Sequence, residues 1–340
     1  VTASVAPKKI LMLGGTRFIG VYVARMLIEQ GHEVTLLTRG KSPVTAQIPD
    51  DTDDSYANYA SAVKHIACDR KDPEAMKAAL SGKGFQVVYD MNGREADEAE
   101  IVLGAIPDLE QYIFCSSAGV YMKSDTMPHR EEDEVDFASR HKGKLNTEKL
   151  LGDHGVTFTS IRPVYIYGPL NYNPVEEMVF HRLKEGRPVM VPGSGMQVTQ
   201  LGHVKDLAVA FVKCLGNPKA YNQIYNISGE RFVTFNGFVK ACAEAAGFPA
   251  PEIARRNSSP FVKNWPTTSR PKLSSTPPAA APARPSWTSW RTPPARCGCA
   301  CFSPPPTAPC AASSLAPGGG NRRSANSRPR VSMLKPLGAG

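Results

Sequence analysis

Short apolar runs alternate with amphipathic stretches through the first half of the chain. KKILML (8–13), EVTLLTR (33–39), AVKHIAC (62–68), FQVVYDM (85–91) and QYIFCSS (111–117) are strand-length runs. Between them, FIGVYVARMLIEQG (18–31) has apolar positions at helical spacing and stops at Gly31, and PEAMKAALSG (73–82) and ADEAEIVLGAI (96–106) read as further helices. Regular alternation of strand and helix predicts an α/β fold with a doubly wound parallel sheet. A long helix is expected from about Lys142 to His154, and VTFTSIRP (156–163) is expected as the sixth strand. After Gly168 the pattern becomes irregular. VEEMVFHRLKEG (175–186), VKDLAVAFVKCLG (204–216) and FNGFVKACAEAAG (235–247) are expected to form a small C-terminal cap around a crevice. The chain thus divides into a flexible start (1–7), a nucleotide-binding-type domain (8–168), a cap (169–253) and a tail (254–340).

Composition changes the picture of the tail. Residues 253–340 hold 13 Lys/Arg and no acid, whereas residues 1–252 hold 27 Lys/Arg against 31 acids. The first part is therefore −4, and the chain total of +9 says little about it. The same 88 tail residues contain 16 Pro and 6 Gly but only 9 Leu, Ile, Val or Phe, too few to offset chain entropy by burial. A disordered basic arm is one reading. The preferred one is a non-native reading frame, since Ala, Pro, Arg, Ser and Gly without acids are what a GC-rich gene yields out of frame; no function is assigned to it. Cys68, Cys115, Cys214 and Cys242 are scattered singletons, expected as core residues in a reducing compartment. Cys297, Cys299, Cys301 and Cys310 lack the CxxC spacing of common zinc sites. VTASVAP reads as a floppy terminus, with a transit-peptide remnant as the alternative. No apolar run approaches the ~20 residues of a membrane span.

The chemistry starts at GGTRFIG (14–20), between a strand and a helix, where Gly14, Gly15 and Gly20 permit a tight turn and the helix start attracts a pyrophosphate. That places the fold with the Rossmann sheets and resembles the extended short-chain dehydrogenases. In those enzymes a glycine stands where this chain has Arg17, which either blocks the dinucleotide or offers it a guanidinium. After the second strand Arg39, beside Lys41, suits a 2′-phosphate better than free ribose hydroxyls, so NADP would be the dinucleotide, held weakly or not at all; Asp69 stands where related folds touch the adenine. Ser117 in CSSAGVY and Lys144 in SRHKGKLNTEKLL occupy two catalytic positions of such dehydrogenases. The third should be tyrosine and is Arg140, so the general acid/base for hydride transfer is missing. His141 could in principle shuttle protons, but it is one residue out of register, so on a helix it points roughly 100° away. In YDMNGREADEAE (89–100), Asp90, Asn92 and Asp97 could offer oxygen ligands to Mg²⁺, or could be a solvated helix start.

GGTRFIG, CDRKD, DMNGREADE, CSSAGVY, SRHKGKL, RPVYIYGPLNYNP and TQLGHVKDLA together resemble the chloroplast stem-loop-binding proteins, in particular their b branch, from about Lys8 to Ile253. The resemblance implies an atypical short-chain-dehydrogenase fold, location in the chloroplast stroma or nucleoid, and binding of structured plastid RNA. It further implies association with plastid ribosomes, the plastid RNA polymerase and an a-branch paralogue, with homo- or hetero-oligomers, and a divalent-metal-dependent endoribonuclease activity better attributed to the a branch. Asp90 and Asp97 are the nuclease candidates, and Arg140, His141, Lys142 and Lys144 the densest basic segment for RNA. An NADP-dependent nucleotide-sugar epimerase, dehydratase or reductase is the alternative, and a non-catalytic ribonucleoprotein scaffold the third reading.

Overall fold

The computed structural model describes residues 5–256. The first half builds β1 (Lys9–Leu13), α1 (Phe18–Glu29), β2 (Glu33–Thr38), α2 (Asp53–Ala62), β3 (Lys64–Ala67), α3 (Pro73–Leu80), β4 (Val87–Asp90), α4 (Ala96–Ala105), β5 (Gln111–Cys115), α5 (Lys142–His154) and β6 (Phe158–Pro163). The rest adds β7 (Tyr165–Tyr167), α6 (Val175–Lys184), β8 (Val189–Pro192), β9 (Val198–His203), α7 (Val204–Cys214), β10 (Gln223–Ile227), β11 (Phe232–Thr234), α8 (Phe235–Ala245) and β12 (Ile253–Arg256). Seven strands form one parallel sheet in the order β3-β2-β1-β4-β5-β6-β10. Strands β4 and β5 are buried along their whole length, as apolar runs covered on both faces should be. One core lies under α1 and α7, around Tyr22, Leu27, Tyr89 and Phe211; the other lies under α3, α4 and α5, around Met76, Val102, Phe114 and Leu151. The chain order reverses between β1 and β4, so a crevice opens beyond the carboxyl ends of these strands.

The doubly wound sheet expected from the alternation is present. The segment 169–253 is not, however, one cap. Helix α7 lies on α1, and β10 pairs with β6 from Gln223↔Thr159 to Ile227↔Pro163. The reason is burial: Leu207, Ala208 and Phe211 complete the core over α1, and β10 pairs an edge of β6 that would otherwise be open. Only α6, α8 and five short strands remain on the crevice side. There β11-β9-β7 form one small sheet and β12-β8 another, over a core of Val179, Leu183, Val189, Val191, Val239 and Cys242. Val5 packs on the large core, so order begins before residue 8. Cys68, Cys115, Cys214 and Cys242 are buried and free. The readings of residues 1–4, of the tail and of Cys297, Cys299, Cys301 and Cys310 lie outside the described residues. Among the described residues no helix is long and apolar enough to cross a membrane.

Candidate functional site

The turn between β1 and α1 keeps its glycine geometry. Gly14 has φ +90°, and a Cβ at Gly20 would collide with the Gly14 carbonyl oxygen. Two features alter the turn. Arg17 is exposed at the N-cap of α1 and makes no capping bond. The Asn92 side chain covers Gly14, since a Cβ on that glycine would lie 2.8 Å from Asn92 Cγ. Beside this turn, Arg39, Lys41, Cys68 and Asp69 border a hollow of about 360 Å³, so three residues expected at the adenosine end do come together.

The second hollow, about 570 Å³, lies between the large sheet and the crevice-side strands, with Ser117, Tyr121, His129, Arg140, His141, Tyr165 and Phe232 among its walls. Ser117 Oγ accepts the Gly119 N–H at 3.1 Å and caps a short 3₁₀ turn. Lys144 turns inward: its Nζ donates to the Cys115 carbonyl at 2.5 Å and lies 4.8 Å from the centre of the Phe114 ring. Burial lowers its pKa, opposed by Cys115 and Asp90. Helix α5 starts only at Lys142, so His141 is its N-cap rather than a residue turned away on a helix, and it lines the hollow next to Arg140. Arg140 Nε donates to His141 Nε2 at 3.0 Å, which requires the neutral ring with its proton on Nδ1. Burial, then the charges of Arg140, Lys144 and Arg94, hold the imidazole below its ordinary pKa. Of the four residues expected as a basic segment, therefore, Arg140 and Lys142 face solvent as cations, while His141 and Lys144 do not.

The expected oxygen ligands are not gathered on an open centre. Asp90 is wholly buried and receives both Arg70 terminal nitrogens at 2.7 Å, the Tyr112 hydroxyl at 2.8 Å and the Gly93 N–H at 2.7 Å. Arg70 also donates to Asn92 Oδ1 at 2.8 Å. Burial alone would raise the Asp90 carboxyl, but Arg70, Lys144 and Tyr112 outweigh it and hold it at about 2. Asp97 is exposed on the first turn of α4, where its Oδ1 accepts the Glu98 N–H. A guanidinium fills the place a cation would take, and among the described residues no group of three or more His, Cys, Asp or Glu is placed to hold a metal. Sequence reasoning missed Arg70, whose partners are 20 and 22 residues away, although it stands in the CDRKD run. It also missed the wall of the crevice. There Arg162 is clamped to Glu148 at 2.6 and 3.1 Å and donates to the Tyr121 hydroxyl at 2.9 Å. Tyr121 stacks on His129 with centroids 4.9 Å apart.

A dinucleotide would meet a divided site. The adenosine end offers Arg39, Lys41 and Asp69 around a hollow. The other end lacks the phenol at position 140, and its lysine is committed to a backbone carbonyl, so these residues do not fit the nicotinamide half and no hydride step follows from them.

Residues 10–228 match the NAD dependent epimerase/dehydratase family. The chain belongs to that family and, within it, to the group of the chloroplast stem-loop binding proteins. The second assignment rests on the chloroplast stem-loop binding protein of 41 kDa b from Arabidopsis thaliana, 63% identical over 254 residues that span 75% of this chain and 67% of that protein. Family members farther away include a UDP-glucose 4-epimerase from Corynebacterium glutamicum, 23% identical over 74% of this chain and 84% of its own length. Among solved structures, the UDP-glucose 4-epimerase of Thermotoga maritima with UDP-glucose superposes with a TM-score of 0.60 at 21% identity, covering 74% of this chain and 88% of that one. A UDP-N-acetylglucosamine 4-epimerase from Methanobrevibacter ruminantium gives 0.62 at 18% identity, over 75% and 87%. These two likenesses establish the fold of the family and nothing about the reaction.

Proposed function

We propose that this chain is a plastid RNA-binding protein that holds stem-loop RNA by its phosphates across the carboxyl edge of the large sheet. The observation that carries the reading is Arg140, a solvent-facing cation where a dehydrogenase keeps its tyrosine. It does not stand alone. Arg17 follows β1, Arg39 and Lys41 follow β2, Arg94 follows β4, Arg140 precedes α5 and Lys142 opens it; all six are exposed, and among the described residues none is in an ion pair. Because residues 1–252 carry −4, overall charge cannot hold RNA there, and a local row of unneutralised cations must. The relative named for chloroplast stem-loop binding supports both the ligand and the compartment. RNA processing or stabilisation, with plastid ribosomes, RNA polymerase and the a-branch paralogue as partners, belongs to the same reading. Mg²⁺-dependent cleavage through Asp90 does not, given the Arg70 clamp.

Fluorescence anisotropy with a labelled stem-loop RNA, titrated across salt, tests it. Arg140→Ala with Lys142→Ala should weaken binding and reduce the salt slope by roughly 1–2, since each phosphate contact contributes about 0.9. An unchanged affinity and slope in the folded variant would move the RNA site elsewhere. We also expect NADP(H) to bind weakly or not at all. Calorimetric titration should show no dissociation constant tighter than about 1 μM, equivalent to about −8 kcal/mol; tighter binding would revive the reductase alternative.

A further inference from the structure

The loop 168–174 joins the crevice to the phosphate-binding turn, and it is built to hold one aromatic ring in water. Tyr172 is 72% exposed, more than any other large apolar or aromatic side chain among the described residues. Its ring stands edge-on to Phe18, with centroids 6.2 Å apart and planes at 84°. Phe18 is itself buried and directly follows Arg17 in the chain. The loop is not slack. Asn171 Nδ2 donates to the Ile166 carbonyl at 3.0 Å, the Asn173 N–H donates to Asn171 Oδ1 at 3.0 Å, and the Asn171 N–H donates to the Gly168 carbonyl at 3.3 Å. The Tyr165 hydroxyl donates to the Asn173 carbonyl at 2.9 Å and accepts the Val175 N–H at 2.8 Å. Leu170 is held at φ +66°, an unfavourable conformation for a side chain of that size. These bonds, made by the residues around Tyr172, fix the backbone that carries it, so the ring is presented to solvent with only its Phe18 contact and is free to take a partner.

Location says what that is. Tyr172 touches Phe18, the residue after Arg17, and the loop that carries it is tied through the Asn173 carbonyl to Tyr165, which lines the same hollow as Arg140. An exposed ring with exposed cations beside each anchor of its loop suits a single nucleic-acid strand, whose phosphates and base faces alternate along the backbone. A duplex offers phosphates but no free base face. Building on the RNA reading above, we infer that Tyr172 is the stacking seat for one unpaired RNA base, with backbone phosphates to either side at Arg17 and Arg140. The part of a stem-loop that this surface grips is then its loop or a bulge, not the paired stem.

The test compares two probes on the full chain: a hairpin RNA with 2-aminopurine in its loop, and a fully paired duplex of the same stem. Tyr172→Ala should weaken hairpin binding about 5- to 150-fold, the range of one base–aromatic stack, and abolish the fluorescence quenching of the probe. Duplex binding should not change, and Tyr172→Phe should retain both affinity and quenching. Equal losses for hairpin and duplex would overturn the seat, as would an unchanged hairpin affinity. Loss of a self-associated species in the Ala variant, with RNA binding intact, would reassign the ring to a protein contact. If the unsubstituted protein binds neither probe, the RNA reading itself falls; if it binds both alike, without quenching, RNA binding stands and only the seat falls. Since Tyr172 is exposed, thermal midpoints of the variants should match the parent.

Discussion

Arg70 and Asp90 show what a residue can do that its neighbours in sequence do not announce. Both oxygens of a wholly buried carboxylate are taken by one guanidinium, with Tyr112 and the Gly93 N–H completing the set. Removing one partner leaves the other charge buried and alone. Arg70→Ala should therefore destabilise the protein by about 3–5 kcal/mol in urea unfolding, far more than loss of the exposed Lys149–Asp153 pair. Acid gives an independent check. The Asp90 carboxyl is held at about 2 in the folded state against an ordinary 3.8, so its contribution is complete above about pH 4 and is lost as pH falls through about 2. Arg70→Ala should flatten that part of the thermal-midpoint profile. The sequence makes Asp90 visible as an acid after a strand but not its fate, because nothing local links positions 70, 90 and 112. Arg140 was legible since its meaning lies in a register with Lys144, four residues on. The inward turn of Lys144 was not, since it depends on a carbonyl of β5.

At the scale of elements, legibility followed apolar pattern more than length: β4 and β12 have four residues each, but β4 sits in the apolar run FQVVYDM and β12 reads IARR. Strands β1, β2 and β4 to β6 and helices α1 and α3 to α5 are long or regular enough for their apolar period to declare them. Strands β7, β11 and β12 have three or four residues each and exist only through partners far along the chain, so no local pattern marks them. Helix α7 is legible in the sequence as a helix, but its neighbour is α1 and not the crevice-side elements. Its apolar face fits a cap as well as a sheet, and the choice is made by α1. Phe211 is the residue to test: it is fully buried in that contact, and its carbonyl accepts the Tyr89 hydroxyl at 3.3 Å. Phe211→Ala should cost about 3–5 kcal/mol of stability, measured by denaturant unfolding. A helix belonging only to a peripheral cap would instead yield a small loss and an unchanged main transition.

For the whole molecule, charge is divided rather than averaged. The 13 Lys/Arg of residues 253–340 can add electrostatic attraction to any polyanion, while residues 1–252 repel one on balance. The full chain's own salt slope therefore does not report the proposed site. The difference between the parent and the Arg140→Ala, Lys142→Ala variant does, because the other charges are common to both. The acids Glu131, Glu132, Asp133, Glu134 and Asp136 sit in the β5–α5 connection and should keep a polyanion off that stretch, confining its contact with the connection to the Arg140 end.

The place of β10 in the sheet has a consequence in time. The seventh strand comes from residues 223–227, and the helix that covers α1 comes just before it. A ribosome must finish about two-thirds of the 340-residue chain, nearly nine-tenths of the described part, before β6 gains its outer partner. Until then, a nascent chain with five or six strands already translated presents a bare strand edge and an uncovered apolar helix face, the two features most prone to sticking to a second chain. Synthesis halted before residue 223 leaves a product for chaperones and proteases, whereas a halt just beyond residue 256 leaves every strand of the large sheet in hand.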